Sequence, residues 1–189
     1  MQKLNLFSVC FGKICLFVDI YCSIMPDILH QLYQGLLKHL VSWIQAVCGD
    51  AEIDAQCCCL PPNHHIQLFM KGISHLSHVT GTEHDQISRF LLVLVADICL
   101  PDGHSNMQLI CTVRTVQDFI YLARYPIHTS ETITQMNDAL HTFHLNHDIF
   151  VLLGVWQHFK IAKLHNSGHY YEFILLYSSA DNFNTEFTE

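Results

Sequence analysis

The sequence predicts a mainly α-helical chain with one or two strands at its N-terminal end, and three observations carry that expectation. From residue 28 onward, apolar residues recur at the 3.6-residue helical spacing in most segments. Residues 14–21 (ICLFVDIY) alone read as a β-branched, aromatic run of strand length, bounded by Gly12 and Pro26. Every connection is short, with no Gly/Ser linker and no internal repeat. Half of the 189 residues are hydrophobic and 14% are charged, enough for one core and too apolar for a disordered chain.

After the strand, Ile28, Leu29, Tyr33, Leu36, Leu37, Leu40, Val41, Ile44 and Val47 form a helical stripe closed by Gly49. Residues 50–55 add a turn, and Leu60-Pro61-Pro62-Asn63 breaks regular structure. Thr82, with Glu83 and Asp85 behind it, supplies a capping hydroxyl and early acids for a helix over 87–100 that is apolar around most of its circumference. A second amphipathic stretch covers 106–125 and stops at Pro126, a third covers 130–146, and a last helix is expected over 163–177. One strand cannot satisfy its own backbone groups, so the chain reads as part of a larger fold.

Charge and cysteine content limit the classes of function. Nine Lys+Arg, of which three are arginine, stand against 17 Asp+Glu for a formal charge of −8, the opposite of a free-standing nucleic-acid binder. His reaches 15 and Cys 9; the odd number excludes a fully paired disulfide framework. Lys13 and Asp19 interrupt the early apolar run and no small-x-small site follows, which disfavours a signal peptide. The longest apolar stretch, 90–96, is too short to cross a bilayer, so no membrane partner is expected.

Three groups could carry chemistry. Asp27, placed between strand and helix, can project at a divalent cation with His30 on the same helical face, although a carboxylate also suits a first helical turn by charge alone. His165 and His169, spaced i, i+4, can chelate one metal ion, with no glutamate between them for zinc-protease chemistry. Cys57, Cys58 and Cys59, with His64 and His65, form a weaker zinc candidate, because consecutive side chains do not easily converge on one tetrahedral ion. The polar end, 181–189, holds Glu186 and Glu189 three residues apart.

Several words of this sequence, in order, closely resemble Plavaka-type transposases of mushroom-forming fungi, in the Kyakuja–Dileera–Zisupton assemblage related to CACTA elements. They are PDILHQLYQG (26–35), LPPNH (60–64), GTEH (81–84), YPIHTSE (125–131), KLH (163–165) with His169-Tyr170, and DNFNTE (181–186). The resemblance runs over 18–189, and residues 1–17 carry none of these words. It implies a partial DDE transposase region: the helical insertion of an RNase H-like core, between the second and third catalytic acids. By the same resemblance Asp27 is the second catalytic aspartate, in a D-x-x-H word with His30. Glu189 is the third acid, with Glu186 as the alternative, and Mg²⁺ is the cofactor held by these carboxylates.

His165 and His169 would then brace the insertion, with Zn²⁺ as a further candidate cofactor. Transposon-end DNA is the partner of the intact enzyme, the nucleus its compartment, and a homo-oligomer a second expectation. No word for the first aspartate occurs in this chain, so it is expected to be inactive alone. A helical protein-interaction module and a small metal-binding protein are the alternatives. The resemblance also puts basic residues where this chain has Cys22, Cys58, Cys59, Gln67, Cys99 and Trp156, each one transition away from a CGN arginine codon. That pattern fits a decayed element.

Overall fold

The structure, a computed structural model, describes residues 27–183 apart from 158 and 160. It is mainly α, as the periodicity predicts, and its only extended pairing among the described residues is the isolated bridge between Asn63 and Ile66. The strand expected at 14–21 and the segment 1–17 lie outside the described residues, as do Glu186 and Glu189.

The first helical stripe appears as two segments joined without a break. Helix α1, Ile28–Leu37, is wound as a π-helix and passes directly into α2, Lys38–Cys48. The Lys38 N–H reaches back five residues to the Tyr33 carbonyl. Periodicity finds such a helix but not its winding, since the apolar positions still fall on one face. That face is completely covered at Leu32, Tyr33, Leu37 and Leu40. Gly49, at φ +84°, stops α2.

Helix α3 runs over Asp50–Cys59, a full turn longer than the expected 50–55. Asp50 and Glu52 in its first turn suit the helix dipole, and Leu60-Pro61 ends it. It is anchored through Ile53 and Cys57 alone. The following loop is clamped by Asp54, whose carboxylate accepts the Ile73 and Ser74 N–H groups at 2.8 and 3.0 Å and the Ser74 hydroxyl at 2.5 Å.

Helix α4, Gly81–Ala96, starts six residues earlier and stops four earlier than expected. Its capping hydroxyl is Thr80, not Thr82: Thr80 Oγ1 accepts the Glu83 N–H while Glu83 accepts the Thr80 N–H, a reciprocal box that needs a three-residue spacing. It is less uniformly apolar in place than in sequence, since Val93 is exposed while Phe90, Leu91, Leu94 and Val95 are buried. Helices α5, Asn106–Ala123, and α6, Ser130–Asn146, follow their predicted stripes and form the most extensive helix pair among the described residues.

The final stretch departs most from expectation. A short α7, Ile149–Leu152, was not signalled, and the helix expected over 163–177 is broken into α8, Ala162–Ser167, and α9, Tyr170–Tyr177. Gly168 and His169 form the turn between them. A glycine in mid-pattern is a weak helix former, and here the chain uses it to redirect.

Candidate functional site

Asp27 sits one residue before α1 with extended backbone, and its carboxylate closes the first turn. Oδ1 accepts the His30 N–H at 3.1 Å and Oδ2 lies 2.9 Å from His30 Nδ1. The carboxylate is nearly buried while the imidazole is half exposed, so the pair is a fixed acid–imidazole couple with its ring at the surface. The Asp27 carbonyl accepts the hydroxyl of fully buried Tyr170 at 2.8 Å. Burial, and then the Asp27 charge, push that phenol well above its ordinary range, so it stays a donor.

Two distant words therefore pack together. Gln31 Nε2 donates to the Lys163 carbonyl, and a Cβ on Gly35 would lie 3.1 Å from the Lys163 side chain. Gly35 therefore sits in close contact with the Lys163 side chain and with the His30 carbonyl of its own helix. This contact places 27–35 against 163–170, the second candidate pair included. His165 and His169 have ring centroids 5.1 Å apart, but from opposite sides of a turn rather than along one helix, which corrects the i, i+4 premise. His169 Nδ1 lies 3.5 Å from Glu172.

His165, His169 and Glu172 line an open cleft of about 810 Å³ together with His144, His147 and Phe159. Burial lowers His144, aided by His147 and His141; burial lowers His147 too, against the opposing charge of Asp148. Among the described residues no three His, Cys, Asp or Glu side chains converge as a metal site. The 57–65 candidate disperses as well: Cys57 is buried and pushed up to about 12 by burial and then by Asp54 and Cys58, Cys58 donates to the Met70 carbonyl, and Cys59, His64 and His65 are exposed.

One constellation has no signal beyond an i, i+4 spacing. Asp85, buried on α4, accepts Arg89 Nε at 3.0 Å, Arg124 from the end of α5, and the Tyr33 hydroxyl of α1 at 3.1 Å. Arg124 also lies over the Tyr33 ring, 5.5 Å from its centroid. Burial would raise the Asp85 carboxyl, but hydrogen bonds and charge from Arg124 and Arg89 outweigh it and hold the group below its ordinary value. Asp85–Arg89 is legible in the sequence; Arg124, 39 residues away, is not.

With Asp27 and His30 placed, the comparison with protein families is decisive for one segment. Residues 2–44 match the Plavaka transposase family. The Plavaka match contains Asp27, His30 and all of α1. It begins inside 1–17, a segment that carries none of the quoted words, and ends within α2, before the words from Leu60 onward. No curated protein and no solved structure matches the chain. Of the positions where the resemblance puts basic residues, Cys22 lies outside the described residues, Cys58, Cys59, Gln67 and Cys99 are exposed, and Trp156 is half-buried with its indole N–H lacking an acceptor among the described residues.

Proposed function

We propose that this chain derives from a DDE transposase that cleaves and joins DNA strands through an RNase H-like core, and that the described residues are its helical insertion. The supporting observation is the family match over residues 2–44, which contains the Asp27–His30 couple. In this reading Asp27 is the second catalytic aspartate, Glu189 or Glu186 the third acid, transposon-end DNA the partner and Mg²⁺ the cofactor. A two-metal reaction needs several carboxylates around the ions. Of the acids this reading needs, the described residues hold one, Asp27, already engaged by His30, and among them no second carboxylate joins it, so by themselves they do not fit a pair of metal ions.

The protein's own contribution is positional. The capped first turn fixes the Asp27 backbone, Tyr170 ties that backbone to α9, and Gln31 holds α8 against α1 through the Lys163 carbonyl. Mg²⁺-dependent nicking of transposon-end DNA by the 189-residue chain is expected at background and unchanged by Asp27→Ala. When an upstream segment bearing a first aspartate is supplied, cleavage should appear and Asp27→Asn should abolish it. Cleavage that survives Asp27→Asn sinks the assignment.

A second reading, a helical interaction module, is favoured by exposed Val151, Leu152, Tyr171, Leu175 and Leu176 on α7 and α9, Leu176 at 63%. It predicts self-association in sedimentation analysis that Leu175→Ser with Leu176→Ser reverses. A monomer at all micromolar concentrations would remove it.

A further inference from the structure

A second cleft, of about 320 Å³, lies between α2 and the loop over 73–79, away from the Asp27 couple. One wall is a polar stripe of α2: Lys38, Ser42 and Gln45 recur at helical spacing and all line the cavity. The other wall is the loop, held by the Asp54 clamp, which carries Ser77 at the cavity edge. His84, buried at the start of α4, closes the floor and stacks on Tyr33 with ring centroids 6.0 Å apart. Tyr33 is in turn bonded to Asp85, so the floor is fixed to the buried ionic network.

The cleft also carries a cation without a described carboxylate partner. Among the described residues Arg89 and Arg124 are paired with Asp85 and Arg114 with Asp118, whereas Lys38 makes no ion pair. The nearby carboxylates are committed elsewhere, Asp54 to the loop and Glu83 to the Thr80 cap. The Ser42 and Ser77 hydroxyls form no hydrogen bond with described residues, while that of Ser74 is taken by Asp54. The concave space is thus lined by an ammonium, two uncommitted hydroxyls, the imidazoles of His78 and His84 and the Gln34 and Gln45 amides, a donor set suited to a tetrahedral oxyanion.

We propose that this cleft binds a phosphate group, with the Lys38 ammonium as its counter-charge and Ser42, Ser77 and His84 as hydrogen-bonding partners. The chemistry is shared by inorganic phosphate and by a phosphodiester of a nucleic-acid backbone, and it does not depend on the transposase reading. His84 reports on occupancy. Burial, then the Lys38 charge, lower it to about 4, against a small opposing effect of Glu83, so an anion bound beside it raises it.

The test is histidine-ring NMR of the full chain titrated with inorganic phosphate, with the His84 signals assigned through His84→Gln. Phosphate should shift those signals and raise the His84 titration midpoint. Lys38→Gln should weaken the response about tenfold or more, and Arg114→Gln, which alters an exposed pair on α5, should leave it unchanged. Circular dichroism confirms that both variants are folded; Lys38 is exposed and glutamine is a good helix former. No phosphate response at His84, or an equal response in Lys38→Gln, overturns the proposal. A short single-stranded oligonucleotide that displaces phosphate from the same signals identifies the backbone phosphodiester as the source, and one that does not leaves the free or monoester phosphate.

Discussion

Asp85 draws bonds from three helices, and the two arginines that hold it are two of the three in the chain. Removing the acid leaves Arg124 and Arg89 without their partner in a partly buried position. Breaking a buried pair costs about 3–5 kcal/mol, and the partial exposure of both arginines puts Asp85→Ala at about 3 kcal/mol. Urea denaturation measures this, and a loss under about 1 kcal/mol would show that the network contributes little. The carboxyl is held below its ordinary value, so its contribution is complete above the unfolded-state value near pH 4 and is lost as pH falls below it. Asp27 shows the limit of sequence at this scale. Its place before a helix is legible, but its bond to Tyr170, 143 positions further along the chain, is not.

The helices with one apolar stripe and an unambiguous stop, α5 and α6, are where periodicity places them, because burial of that stripe decides their ends. Elements set by local polar geometry were less legible. Thr80 and Thr82 each have an acid three residues on, Glu83 and Asp85, and only in the fold does Glu83 close the box while Asp85 turns to Arg89 and Arg124. Gly168 sits in an apolar pattern that continues on both sides, so a continuous helix fitted the sequence as well as a broken one. The loop over 73–79 depends on Gly72, which has φ +80° and whose added Cβ would fall 2.0 Å from Asp54 Oδ1. Gly72→Ala should therefore destabilise the protein by at least about 1–2 kcal/mol from the backbone alone, and by more once Asp54 is displaced. Thermal denaturation and faster proteolysis within 72–79 would register it. Unchanged melting and cleavage would mean that Asp54 does not clamp this loop.

The mainly α architecture was legible because most of the chain is amphipathic helix, while the juxtaposition of 27–35 with 163–170 comes from tertiary packing that periodicity does not encode. The same packing buries imidazoles, and His39, His84, His128, His144 and His147 are all lowered, burial being the first cause in each. The unfolded chain then binds more protons than the folded one below the ordinary histidine value, so stability should fall as pH drops from about 6.5 toward 4. Guanidinium midpoints at pH 7 and pH 4.5 test this, and His84→Gln should flatten the dependence; equal midpoints for the wild-type chain would contradict the buried neutral histidines. The pairing of the arginines has one more consequence, for ionic strength. With Arg89, Arg114 and Arg124 facing their own carboxylates, the described lysines, Lys38, Lys71 and Lys163, are the cations free of ion pairs among the described residues. Each phosphate contact contributes about −0.9 to the slope of log affinity against log salt for duplex DNA. A duplex held through no more than those three lysines would show a slope of about −2.7, a loss of roughly forty-fold in affinity between 50 and 200 mM salt.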